Sequence, residues 1–307
     1  MNDVLVGIIL ATLGAGTPLV FAALGELITE KSGVLNLGVE GMMLVGAVCG
    51  FAVAADTGSL WLGVVTAMTA GAFMALLFGV LTLTFQANQV AAGLALTIFG
   101  VGLSAYIGLE YTSVALTGMQ PVHIPLVSSI PLLGPTIFSL DPLMYLSFAL
   151  LAAITYFLYR SKAGLLLRAI GESPRSAHSI GYPVIQIRYL AVLFGGGMAG
   201  LGGAYLALVY TPLWVEGMTA GRGWISLALV VFATWRPARV IFGAYLFGGV
   251  TILQFHVQGL GIDLPAQLLS SLPYIATIVV LVLISRDINT IRLNAPASIG
   301  KTFHPGV

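Results

Sequence analysis

The chain has 307 residues, of which 58% are apolar and only 7% are charged, and its mean hydropathy is +1.03. Soluble domains carry about 25% charged residues, so this composition excludes an ordinary soluble protein. The formal net charge of +1 gives no argument for nucleic-acid binding. A helix needs about 20 apolar residues to cross a bilayer core, and backbone groups in lipid must be paired within their own segment. We therefore predict an all-α, polytopic membrane protein.

Apolar runs separated by polar breaks predict nine membrane-spanning helices, with eight to ten as the range. The N-terminal sequence "MNDVLVGIIL" lacks the basic region of a secretory signal, so we interpret it as the start of a retained span. We treat residues 1–307 as a single transmembrane domain. The predicted spans are 4–24, 37–55, 60–85, 90–110, 142–159, 189–210, 223–235, 240–258 and 267–285.

The twelve Lys and Arg residues cluster in a few short segments. Five of them lie in the central loop 160–188, two in a turn after the seventh span, and three in the tail 286–307. Alternating the nine spans places these segments on one side, and basic short loops stay in the cytoplasm. We therefore predict an extracytoplasmic N-terminus, a cytoplasmic C-terminus and a multi-pass location in a bacterial cytoplasmic (inner) membrane.

Charged residues interrupt the apolar sequence between the first two spans, in "GELITEKSGVLNLGVEGMM". An ionised carboxylate at membrane depth costs several kcal/mol unless it is paired or hydrated, so Glu26 and Glu40 must face protein or water. Glycines around Asn36 suggest a broken connection, which is tolerated only inside protein or along a cavity. Two interpretations of Asn36 and Glu40 stay open: a polar latch that bonds exposed backbone, which we favour, and a lining of the translocation path.

Two further polar positions are candidates for the translocation path. Asn88 and Gln89, in "FQANQV", lie between the third and fourth spans, where a hydrated turn is the simpler interpretation. Trp224 lies in "GRGWISLALVVFATWRPAR", a short span flanked by glycines and proline that resembles the discontinuous helices of transport sites. An interfacial anchor is the simpler interpretation of Trp224.

The central loop predicts two short helices around "GESP". Ser173 followed by Pro174 is typical of a helix start, and Gly181 is suited to end the second helix. On the pattern alone, this segment is either a solvated loop or a docking element for a cytoplasmic partner.

Two long blocks resemble a known family: "SGVLNLGVEGMMLVGA" and "LRAIGESPRSAHSIGYPVIQIRYLAVLFGGGMAGLGGAYLAL". They are similar to the membrane permease subunits of bacterial ABC importers for simple sugars and nucleosides. Within that group, the first block resembles nucleoside-type permeases that work with basic-membrane-protein-type binding lipoproteins. The resemblance implies a second homologous permease subunit, a cytoplasmic ATP-binding subunit and an extracytoplasmic substrate-binding protein as partners.

In such permeases the segment "GESPRSAHSIG" corresponds to the coupling helix that sits in a groove of the ATPase. The resemblance therefore implies a coupling role for the central loop, with Ala177 near the contact and Ser173 and Gly181 at the helix ends. The residues concerned are Gly171, Glu172, Ser173, Pro174, Arg175, Ala177, His178 and Gly181.

No enzymatic motif stands out in the sequence. The tail segment "ASIGKT" looks like a phosphate loop, but a Walker loop needs a glycine where this chain has Ala295, so we expect ATP hydrolysis on a separate partner. The four histidines and Cys49 have no metal-ligand spacing, and we predict no cofactor. We expect a permease for nucleosides or related small molecules. A permease for pentose-like sugars is the alternative, and an ion-coupled secondary transporter is a more distant one.

Overall fold

The computed structural model describes residues 2–122, 134, 136, 138–259, 267–268, 271–272, 275–276, 278–279, 282 and 294–304. Within these residues the chain is helical, and its only extended pairing is an isolated bridge between Ala115 and Leu213. The helices are α1 Asn2–Lys31, α2 Val39–Thr57, α3 Leu60–Gly79, α4 Gln89–Gly108, α5 Pro142–Arg160, α6 Lys162–Glu172, α7 Pro174–Ser179, α8 Val184–Tyr205, α9 Arg222–Phe232 and α10 Pro237–Gly259. π-helical turns prolong α3 to Thr84 and α8 to Tyr210.

The predicted polytopic, all-α architecture is confirmed, but the count of nine spans is not. Seven of the described helices are long and apolar enough to cross a membrane. The predicted span 223–235 corresponds to α9, which has 11 residues. At 1.5 Å per residue, α9 is about 16 Å long, roughly half of a bilayer core. Most of the predicted span 267–285 lies outside the described residues.

The centre of the bundle is α8, which packs against α1, α2 and α3. Small residues allow these helices to approach closely. A Cβ atom on Gly46 of α2 would lie 2.5 Å from the Cα atom of Gly200 on α8, closer than any real side chain can sit. The small-residue spacing of the two helices therefore serves packing within the chain.

The bundle has two chemically different ends. At one end Lys31 Nζ donates to the carbonyl of Asn294 at 2.7 Å, α6 packs against α1, and α7 packs against α6 and α8. At the other end Tyr111 donates to Asp56 at 3.0 Å. The first end carries the basic residues of the central loop. We call it the basic end.

Candidate functional site

The connection between α1 and α2, residues 32–38, is a break in the helical backbone, and its polar groups are paired by side chains. The backbone N–H of Asn36 donates to Oε1 of Glu26 at 3.1 Å. The Asn36 side chain folds over the start of α2, where its Oδ1 accepts from the N–H of Gly38 at 2.9 Å. Because unpaired buried backbone groups cost about 1–3 kcal/mol each, these two side chains make the break tolerable inside the protein.

Helix α4 supplies further support to the same break. Gln89 Oε1 accepts from the N–H of Leu35 at 2.8 Å, and Thr97 Oγ1 donates to the carbonyl of Leu37 at 3.0 Å. The neighbouring Asn88 has a different role, because its Oδ1 accepts from the N–H of Ala91 at 3.0 Å and caps α4. The predicted "FQANQV" cluster thus divides into an exposed helix cap, Asn88, and a buried support, Gln89.

Glu40 holds the beginning of the half-length helix α9. Its Oε1 accepts from the Thr219 hydroxyl at 2.6 Å and from the N–H of Gly221 at 2.8 Å, while its Oε2 accepts from the N–H of Gly223 at 2.6 Å. Gly221 has a φ of +81°, and a Cβ on Gly223 would lie 2.5 Å from the Cα of Glu40. The carboxylate therefore satisfies orphan amides at the positive end of the helix.

Glu30 holds the other end of α9. The indole N–H of Trp235 donates to Glu30 Oε2 at 2.5 Å. Thr234 and Trp235 have φ values of +49° and +52°, an uncommon conformation for residues with a side chain. Two carboxylates of the α1–α2 region therefore hold both ends of α9. Trp224, on α9 itself, is half-buried.

The sequence-derived candidates for the translocation path fall into two groups. Glu26, Asn36, Glu40 and Gln89 are 1%, 0%, 6% and 3% exposed and are enclosed by their own chain. Asn88 and Trp224, by contrast, remain accessible at least in part.

The central loop forms the two predicted short helices, α6 and α7. Ser173 Oγ accepts from the N–H of Ser176 at 3.3 Å and caps α7, with Pro174 in the first helical position. Gly181, with a φ of +94°, lies just beyond the helix end. The helix boundaries predicted from "GESP" and Gly181 are therefore confirmed.

The face that α7 presents to its own chain contains Ala177, which is 5% exposed. Ala177 packs in a cluster with Ile170, Val184 and Phe303, and the His178 ring lies edge-on to Phe303 at 5.6 Å. The methyl group of Ala177 thus points toward the protein, away from the surface where sequence reasoning expected it. The accessible residues of this region include Glu172, Arg175, Ser176, Ser179 and Ile180.

The remaining coupling candidates shape the loop. Gly171 lies against the carbonyl of Lys31, so α6 approaches the end of α1 more closely than a side chain would permit. Glu172 Oε2 accepts from the N–H of Ala297 at 3.4 Å. These contacts attach the central loop to both α1 and the tail.

Three residues at the basic end escaped the sequence analysis. Arg188 was counted only as a topology signal, yet it is 1% exposed and donates to Ser32 O and Ser298 Oγ, each at 3.1 Å. Ser298 and Phe303 belong to the tail, which the sequence predicted only to be cytoplasmic. The only sequence feature that could have indicated a packed tail is a phenylalanine, Phe303, among polar residues near the C-terminus.

Residues 8–284 match the family described as the permease component of branched-chain amino acid transport systems. The chain belongs to this permease family. It is 41% identical to a putative glucose ABC transporter permease of Haloferax volcanii, TsgC13, over 97% of both chains. It is 32% identical to the guanosine ABC transporter permease NupQ of Bacillus subtilis (89% of this chain, 90% of the relative). It is 30% identical to the nucleoside ABC transporter permease NupC of Lactococcus lactis (87% and 88%).

Membership in this family confirms the resemblance to sugar and nucleoside permeases that the two sequence blocks carried. The protein is a multi-pass membrane transport subunit and not an enzyme. Permeases of ABC transporters work with an ATP-binding subunit and a substrate-binding protein. Energy for transport therefore comes from a separate chain.

Proposed function

We propose that this chain, as one transmembrane domain over residues 1–307, is a permease subunit that imports nucleosides or closely related small molecules. The observation that carries the proposal is its similarity to guanosine and nucleoside permeases over almost nine-tenths of its length. The block "SGVLNLGVEGMMLVGA", which resembles nucleoside-type permeases, supports it.

Import of a simple sugar is the second candidate. The observation that favours it is the higher identity, 41%, to a putative glucose permease. Nucleosides and sugars share a hydroxylated ring, so one permease architecture suits both. In this proposal the extracytoplasmic binding protein makes the distinction.

The experiment that separates the two candidates is a thermal-shift screen of the cognate binding protein against guanosine, other nucleosides, free nucleobases, glucose and pentoses. Uptake of the stabilising compound is then measured in cells with and without the permease gene. Stabilisation by nucleosides supports the proposal. Stabilisation by glucose or pentoses alone would reject nucleosides in favour of the sugar candidate.

We place the contact with the ATP-binding subunit at the exposed side of α7 and the turn that follows it. Ile180 is 73% exposed in a cytoplasmic loop, and Arg175 and Ser176 are exposed on the helix. Together with Tyr182, which is 43% exposed two residues later, Ile180 gives the basic end an apolar surface with an aromatic residue, as at interfaces with protein partners. The buried Ala177 and the caps Ser173 and Gly181 fix the shape of this surface.

The docking proposal is tested with Ile180→Glu, which places a charge on the exposed surface without entering the core. Copurification of the ATP-binding subunit should fall strongly, while the yield of folded permease stays unchanged. Lys301→Glu is the control, because Lys301 is also exposed at the basic end but lies on the tail. Normal copurification with Ile180→Glu would refute the docking site.

We further propose that Glu26, Asn36, Glu40 and Gln89 form a polar latch rather than the surface that substrate touches. Their burial and their bonds to the break and to α9 support this choice over the path lining. Substrate would then cross at an interface with a second homologous permease, where accessible residues such as Asn88 and Trp224 can contribute.

A further inference from the structure

The C-terminal tail, residues 294–304, packs into the basic end instead of extending from it. Ser298 donates to the carbonyl of Gly171 twice, through its N–H at 3.0 Å and its Oγ at 2.6 Å. Lys31 Nζ donates to the carbonyl of Asn294 at 2.7 Å. The tail is thereby fixed to the ends of both α1 and α6.

Phe303 of the tail lies between the coupling region and Arg188. Its ring is buried beside Ala177 and edge-on to His178 of α7. The Arg188 guanidinium also lies over this ring, 6.0 Å from its centroid. A displacement of α7 therefore acts directly on the Phe303 ring, in addition to its connection through α6, whose Gly171 lies against the end of α1.

Arg188 connects Phe303 and the tail to the α1–α2 break. Its Nε donates to the carbonyl of Ser32, the first residue of the break, and its Nη2 donates to Ser298. A guanidinium that is 1% exposed is costly unless its donors are used, so its position is tightly defined by the break and the tail together. A closely packed group of this kind transmits displacement rather than absorbing it.

We propose that Phe303 and Arg188 are positioning residues that transmit movement of α7 to the α1–α2 break, so that the tail is part of the coupling machinery. The inference rests on the proposed function, in which α7 contacts the ATP-binding subunit. It goes beyond that function by assigning a role to a segment that the docking surface does not include.

The test compares Phe303→Ala with wild type in the assembled transporter reconstituted in liposomes. Copurification of the ATP-binding subunit and basal ATP hydrolysis should remain at the wild-type level, because the exposed side of α7 is unchanged. Hydrolysis stimulated by the loaded binding protein, and uptake with it, should fall about fivefold or more, the lower end of typical coupling between sites. Phe303→Tyr should restore both, since it returns an aromatic ring to the cluster.

The neighbouring His304→Ala is the matched control, because His304 is exposed and should change none of the readouts. Wild-type stimulation in Phe303→Ala would overturn the inference. A parallel loss of copurification would also overturn it, since the tail would then only support docking. The Ile180→Glu experiment keeps these outcomes separate: a failure of docking appears there, and a failure of transmission appears only with Phe303.

Discussion

Replacement of Glu40 tests whether the charged residues between the first two helices are structural. In Glu40→Gln one side-chain oxygen can still accept from Thr219 and Gly221, but the amide nitrogen now faces the N–H of Gly223. One buried donor is left unpaired, at a cost of about 1–3 kcal/mol. In Glu40→Leu both backbone N–H groups lose their acceptor, so the cost is roughly 2–6 kcal/mol by the same estimate.

Glu26→Gln is the matched control for this series, because Glu26 lies in the same region and is also buried. Only its Oε1 accepts a bond, from Asn36, and no described residue bonds to its Oε2. An amide can keep that one bond, so Glu26→Gln should cost less than about 1 kcal/mol.

The measurements are the yield of monodisperse protein in detergent and its melting temperature. Both should decrease in the order wild type, Glu26→Gln, Glu40→Gln, Glu40→Leu. Equal stability of Glu40→Leu and wild type would refute the latch. If both Glu40 variants folded normally and lost transport equally, the carboxylate would have a charge-specific role in the path instead.

Three further predictions concern other parts of the chain. Trp235→Phe removes the donor to Glu30 and should lower stability by about 1–3 kcal/mol in thermal melts, whereas Trp61→Phe, at an exposed position, should not. In a Cys49→Ala background, a cysteine at Ser176 should react with impermeant maleimide only from the cytoplasm and one at Glu216 only from outside; labelling of both from one side would reject the topology. Burial raises the pKa of Asp141 above its usual 3.8, so the native state binds this proton more tightly than the unfolded chain does. Its contribution to stability should be complete below about pH 4 and be lost as pH rises through the higher folded pKa. Asp141→Asn should remove this contribution to the dependence of melting temperature on pH. An unchanged pH dependence in Asp141→Asn would contradict the role given to Asp141.

The sequence predicted the long spans well, because hydropathy alone decides which segments can lie in lipid. Its errors occur where polar residues find partners far along the chain. Hydropathy ended the first span at residue 24, but α1 continues to Lys31 because Glu26 bonds to the break and Glu30 bonds to Trp235. Those partners were not visible from local composition.

In the candidate site, too, features set by neighbouring residues were predicted from the sequence, and features set by distant residues were not. Local signals were sufficient for α7, since a serine cap, a proline and a left-handed glycine act within a few residues. The direction of Ala177 could not be predicted, because the residue that covers it, Phe303, lies 126 positions later. Similarly, composition located α9, but it did not reveal that carboxylates on two other helices bond to its two ends.

The contacts at the two ends of α9 extend the proposed coupling from α7 and the α1–α2 break to a helix within the membrane. Glu30 is the last but one residue of α1 and Glu40 is the second of α2, so they flank the break that Arg188 contacts through Ser32. Because these two side chains hold opposite ends of α9, the break and the half-length helix must move together or lose buried hydrogen bonds, each at a cost of about 1–3 kcal/mol. In the proposed coupling, a displacement that arrives at Ser32 is delivered to α9 and to the accessible side of Trp224. The proposal thereby connects the docking surface at α7 to a discontinuous membrane helix through contacts of one chain, without requiring that any of the buried glutamates touch substrate.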